Sequence, residues 1–131
     1  MGSVPTGFHH VTLNVTDLAR ARAFYEGILG FTVDQDFPGE KLRLRFGAGS
    51  LARLVLRPPL PGTPAGDQFS ERRIGLDHLA VGVASRAELD ALTEALRRGG
   101  VAADVHHDPL GPQIVTFRDP DNFQWEFFEE Q

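Results

Sequence analysis

Residues 8–15, Phe8-His9-His10-Val11-Thr12-Leu13-Asn14-Val15, align without a gap against residues 76–83, Leu76-Asp77-His78-Leu79-Ala80-Val81-Gly82-Val83. The offset from His10 to His78 is 68 residues, and it carries on through the helix-like segment that follows each copy. Both copies are apolar-alternating runs, and the polar residue they share is a histidine. Repetition at a fixed offset marks two copies of one structural unit, and these copies repeat a metal-ligand residue type in the same place.

Working outward, each half reads as a strand, a helix and three further strands. In the first, Val11, Leu13 and Val15 alternate with His10, Thr12 and Asn14, the period of a half-buried strand. Asp17 then caps a helix with Leu18, Ala21, Phe24 and Ile28 on one face, stopped by Gly30. Strands are predicted at Phe31–Phe37, Lys41–Phe46 and Leu51–Arg57, separated by Pro38-Gly39 and Gly47-Ala48-Gly49. In the second half, Leu79–Val83 leads to a capping box, Ser85 with Glu88, and to a helix burying Leu89, Leu92 and Leu96. Gly99-Gly100 ends it, and strands follow near Val101–His106, Gln113–Arg118 and Phe123–Phe128, the last two joined by a hairpin turn at Asp119-Pro120-Asp121-Asn122. Residues 1–131 are thus read as a single domain: a first module over about 7–58, a Pro- and Gly-rich linker over 58–75 and a second module over about 76–129. A linker of that length is functional or mobile.

Composition narrows the function classes. An apolar fraction of 41% with 24% charged residues is that of a globular protein. No apolar run is long enough to span a bilayer, so no membrane partner is expected and the default compartment is cytoplasmic. With no cysteine, a metal would have to be held by His, Asp or Glu. A net charge of -5 argues against nucleic acid as a main partner.

Strand alternation decides which side chains share a face. His10, Thr12 and Asn14 face one way, and His78 lies with Ala80 and Gly82. That face is small or polar, as in a cavity wall. On the last strand Phe123, Trp125 and Phe127 point one way, while Gln124, Glu126 and Phe128 point the other. A carboxylate among aromatics is buried only when paired or bound to a metal. His10, His78 and Glu126 therefore form a 2-His-1-carboxylate set suited to Fe(II), Mn(II), Zn(II), Ni(II) or Co(II), with positions left open for substrate. Arg53 and Arg57 share a face with Val55, and Arg43 and Arg45 alternate likewise on the neighbouring strand; as guanidiniums they would clamp a carboxylate or phosphate. Asn14 and Phe128 complete the candidate substrate wall. His9 alternates away from His10 and is expected to be structural. Tyr25 is read as packing, and His106 and His107 are weighed for proton transfer against a solvated turn.

These residues resemble the vicinal oxygen chelate superfamily, which includes glyoxalase I, methylmalonyl-CoA epimerase, extradiol dioxygenases, fosfomycin-resistance transferases and bleomycin-resistance proteins. The resemblance spans about residues 7–129. It rests on Phe8 to Leu18, Phe24-Tyr25 with Leu29-Gly30-Phe31, Leu76 to Ala80, and Arg118 to Asn122 before Glu126. It implies an α+β fold of two tandem βαβββ modules, whose curled, mainly antiparallel sheets surround a metal-binding cavity (the glyoxalase/bleomycin resistance/dihydroxybiphenyl dioxygenase fold). By position it makes His10, His78 and Glu126 the ligands of a divalent metal. It also implies a homodimer whose sites lie at or near the interface, and a small-molecule substrate that chelates the metal through neighbouring oxygens. The reaction would be of dioxygenase, lyase/isomerase or transferase type.

One departure bears on the reaction. The repeat places Val55 opposite Glu126, where glyoxalase I and the epimerases carry a fourth ligand, and valine cannot ligate. The second-shell His and Tyr of extradiol enzymes and the potassium loop of the fosfomycin enzymes, sought near Leu110–Val115, have no evident counterpart. Bleomycin-binding relatives generally lack the metal set. The rival expectation is a non-catalytic protein that sequesters an antibiotic or aromatic ligand in the same groove.

Overall fold

A computed structural model describes residues 2–47 and 52–130. In chain order the elements are β1 (His10–Asn14), α1 (Leu18–Arg22) continued by a π-helical segment (Ala23–Ile28), β2 (Thr32–Phe37), β3 (Lys41–Arg45), β4 (Arg53–Arg57), β5 (Leu79–Val83), α2 (Arg86–Arg98), β6 (Asp104–His107), β7 (Gln113–Arg118) and β8 (Gln124–Glu129). Two four-stranded mixed sheets result, in the orders β1-β4-β3-β2 and β5-β8-β7-β6. Each has one parallel pair, β1 with β4 or β5 with β8, and two antiparallel pairs. The βαβββ duplication expected from the sequence is borne out, and the two sheets form no closed barrel.

The register makes the repeat exact at the centre of each sheet. Thr12 faces Val55, which faces Arg43; Ala80 faces Glu126, which faces Thr116. Val55 and Glu126 are therefore structural equivalents. Alternation sends Leu13, Leu42, Leu44, Leu54 and Leu56 to the other face, where all are buried. Full burial of each such side chain stabilises by about 1.5–3 kcal/mol. One apolar cluster serves both modules, running from these leucines through Phe24, Tyr25 and Phe31 to Leu89, Leu96, Val115, Phe117, Trp125 and Phe127. The histidine faces point away from it.

Local signals are mostly read as expected. Asp17 accepts from the backbone of Ala19 (2.9 Å) and Arg20 (3.1 Å), and Ser85 from Glu88 (3.2 Å). Gly30 (φ 74°) and Gly100 (φ 77°) adopt the left-handed backbone that ends each helix. The first helix departs from expectation: its bonds widen after Arg22, so that Leu29 N–H reaches back to Phe24 C=O. Ala21 and Phe24 are buried as expected, but Tyr25 takes the deepest place and Ile28 is left half-buried. The predicted strand from Val101 starts only at Asp104, and Phe123 falls just outside β8. Leu51, with Ala48 and Gly49 of the expected turn, lies outside the described residues. The linker carries no strand or helix among its residues, yet it is tied down: Phe69 stacks on Phe123 at 4.6 Å, and Asn122 Nδ2 donates to Phe69 C=O at 3.0 Å.

Candidate functional site

His78 stands at the entrance of β5, and β8 runs parallel beside it with Ala80 opposite Glu126. Two strands thus bring the imidazole and the carboxylate to one surface, with His78 Nε2 3.4 Å from Glu126 Oε1. Glu126 is half-buried, its side chain 20% exposed, and is less enclosed than its aromatic neighbours in sequence suggest. The other ring nitrogen, Nδ1, lies 2.7 Å from Asp77 Oδ1. An ionised carboxylate only accepts, so the contact places a proton on Nδ1, and the ring when neutral presents a lone pair at Nε2. For two donor atoms on one tetrahedral ion, each about 2.0–2.2 Å away, the mutual separation is about 3.4 Å. The pair fits a divalent cation.

Behind Asp77 lies a chain of bonds that the sequence did not reveal. Gln124 Nε2 donates to Asp77 Oδ1 (3.1 Å) and Asp77 C=O (3.3 Å). Arg118 Nη2 donates to Gln124 Oε1 at 3.2 Å, and both Nη atoms of Arg118 grip Glu71 of the linker at 2.9 and 2.8 Å. The Arg118 bonds hold the Glu71 carboxyl down to about 2. The orienting partner was legible in one respect: it is the residue immediately before the histidine.

The first half repeats that arrangement with a different partner. His9, at the repeat position of Asp77, brings Nδ1 within 2.8 Å of His10 Nδ1, its ring edge-on at 5.1 Å. His9 is exposed and engages His10, which corrects the expectation that it turns away into a structural role. His10, Thr12, Asn14, Ala80 and Gly82 are all exposed. Within one chain His10 does not join His78 and Glu126: among the described residues no group of three His, Asp or Glu side chains could hold an ion. His10 thus has Val55 in the place that Glu126 takes beside His78.

The candidate substrate residues fall in several places. Arg43, Arg45 and Arg53 converge on Asp34 of β2. Arg57 is exposed opposite Asn14 at the end of the first sheet. Asn14 lines a cleft of about 330 Å³ with Phe69, Arg73, Ile74 and Phe123, whereas Phe128 lines a separate cavity with Leu110 and Pro112. His106 sits on the edge strand β6, 3.9 Å from Asp104, in the row that runs through Ile114 to Phe128.

Two aspartates of the β7–β8 turn do more than turn the chain. Asp119 Oδ1 accepts from Asp121 N–H and Phe123 N–H, forming the expected hairpin. Its Oδ2 accepts from the buried Tyr25 hydroxyl at 2.5 Å, and Trp125 Nε1 donates to that hydroxyl at 2.9 Å. Burial raises the Asp119 carboxyl, and the Tyr25 hydrogen bond opposes the rise. Asp121 receives Thr16 N–H (3.1 Å), the Thr16 hydroxyl and Arg20 Nη2 (3.3 Å). This turn fastens the second module to the first helix.

With this geometry, residues 7–127 match the Glyoxalase/Bleomycin resistance protein/Dioxygenase superfamily. The chain belongs to that family. It is 31% identical to the uncharacterized protein YwkD of Bacillus subtilis (strain 168), over 93% of this chain and 95% of that one. A crystal structure of a glyoxylase/bleomycin resistance protein/dioxygenase domain from Frankia sp. EAN1pec superposes with a TM-score of 0.81 at 30% identity, covering 98% and 94% of the two chains. The fold is also shared by TnmS3, an antibiotic binding protein from Streptomyces sp. CB03234, with a TM-score of 0.74 at 21% identity over 99% and 100%.

Proposed function

We propose that the protein is a divalent-metal-dependent enzyme acting on a small oxygen-chelating molecule, with His10, His78 and Glu126 as metal ligands. The observation that carries this is the His78–Glu126 pair: a lone pair fixed by Asp77 faces a carboxylate oxygen at 3.4 Å. His10 would complete the set from a second copy of the chain, since the exposed histidine face of each sheet leaves room for the opposite half-site of a partner. The bound cation would supply Lewis-acid stabilisation of negative charge developing on substrate oxygen. The chain's own residues would orient the ligands: Asp77 sets the His78 tautomer, His9 holds the His10 ring by its Nδ1 contact, and Glu126 would add the one anionic ligand. Val55 in place of a fourth ligand favours dioxygenase-, lyase/isomerase- or transferase-type reactions over that of glyoxalase I.

Sequestration of an antibiotic or aromatic ligand is the competing function, favoured by the family's bleomycin-resistance members. Metal analysis of untagged protein separates the two. The enzyme should retain stoichiometric divalent metal, lose it in His78→Ala with folding intact, and turn over a substrate in a screen supplemented with Fe(II) or Mn(II). Tight ligand binding indifferent to chelators, with no metal retained, would establish sequestration instead.

A further inference from the structure

Three arginines of the first sheet share one carboxylate. Asp34 stands at the register shift between Val33 and Gln35 of β2, and its carboxylate meets the arginines of the His10 face. Arg43 Nε donates to Asp34 Oδ1 at 2.9 Å and Arg53 Nε to Oδ2 at 2.9 Å, while Arg45 Nε stands 3.5 Å from Oδ2. Asp34 and Arg53 are largely enclosed, at 13% and 16% side-chain exposure; Arg43 and Arg45 open to solvent at 35% and 43%. The Arg43 and Arg53 hydrogen bonds hold the Asp34 carboxyl below its usual range.

Among the described residues, Asp34 gathers three cations to one anion. Arg45 and Arg53 lie directly opposite one another in the ladder, a pairing of like charges that costs stability. Asp34 offsets part of that cost and fixes the planes of the guanidiniums; Arg53 also donates to Ala52 C=O at 3.3 Å, while the solvent-open Arg43 and Arg45 carry donors beyond those that reach Asp34. The second sheet is built otherwise: opposite Arg118 stands Gln124, the repeat equivalent of Arg53. Position adds the functional sense. His10, Arg53 and Arg45 occupy one row across β1, β4 and β3, with strands about 4.8 Å apart.

We propose that Arg43 and Arg45, held by Asp34 beside Arg53, form a binding subsite for a compact oxyanion, so that the substrate carries a carboxylate or phosphoryl group beside the part that reaches His10. Placement within the substrate rests on the metal function proposed above; the anion site itself does not. Guanidinium forks match both oxyanions bidentately, and Arg45, the least engaged by Asp34, is the primary contact.

The test is titration of the full chain with inorganic phosphate, and separately with malonate, at constant ionic strength, read by side-chain Nε–H resonances of arginine with and without EDTA. Saturable shifts are expected at Arg43 and Arg45 in both conditions, and the tighter of the two anions identifies the group. Arg45→Gln should weaken binding roughly tenfold or more, as loss of a charge-assisted bond implies; Arg45→Lys should recover part of it, and Arg86→Gln should change nothing. Shifts spread equally over Arg22 and Arg86, indifference to Arg45→Gln, or loss of binding in EDTA would each overturn the subsite. Phosphate held at Arg45 by protein that retains no cation would leave the subsite standing and remove the metal function. A retained cation with no phosphate binding would do the reverse.

Discussion

Asp77 shows how a single side chain sets the chemistry of its neighbour. It is largely exposed and contributes little to the core, yet its Oδ1 engages Nδ1 of His78, which under the proposed metal function would leave Nε2 to ligate. Outer partners of this kind typically change metal affinity by about 10–100-fold. Asp77→Ala should therefore weaken divalent-metal affinity by about that factor while the circular dichroism spectrum and melting temperature stay unchanged, with Asp77→Glu intermediate. Calorimetric titration with Zn(II) or Mn(II) checks this. Equal affinity in wild type and Asp77→Ala would mean that the 2.7 Å contact orients nothing.

Among the elements, the π-helical segment and the β7–β8 turn form the joint between modules. Tyr25 is the one tyrosine of the chain. Burial, followed by the charge and hydrogen bond of Asp119, pushes its phenol well above the usual 10.0. The unfolded chain would release this proton near 10.0 and the folded chain holds it, so stability is fully present below that pH and falls as pH rises above it. Absorbance at 295 nm should stay flat past pH 10 and rise only with loss of tertiary structure. A simple titration centred near pH 10 in a still-folded protein would refute the buried phenol.

That joint also marks how far the sequence could be read. Alternation and cap residues located the strands, both helices and the βαβββ repeat, because those signals lie within a few residues of one another. The register equivalence of Val55 and Glu126 followed from the repeat alone. Tyr25 and Asp119, 94 residues apart, meet only through tertiary packing, and the widened turn after Arg22 leaves no periodic trace that a search for 3.6-residue spacing would catch. The Asp34 hub escaped notice for a like reason: its arginine partners lie on β3 and β4, and only the sheet order and register bring them to β2. Of the site, the meeting of His78 and Glu126 on one surface was legible, whereas the bonds of Asp77, Gln124 and Arg118 behind it required coordinates.

At the scale of the molecule, duplication has been followed by divergence. Both sheets keep the histidine and the same strand order, but one surrounds it with valine and arginine and the other with glutamate. Under the proposed metal function, a chain with His10 on one sheet and His78 with Glu126 on the other would be incomplete by itself and complementary to a copy of itself. Two-fold pairing would bring His10 of one protomer to His78 and Glu126 of its partner, forming two equivalent sites. Mixing two inactive variants, His10→Ala and His78→Ala, tests this most directly. Neither alone should bind a divalent cation tightly. After co-refolding, the heterodimer should regain one intact site and bind metal stoichiometrically at that site. Failure of the mixture to bind, with heterodimers formed, would contradict a metal centre shared between chains, and tight binding by His10→Ala alone would show that His10 is not a ligand.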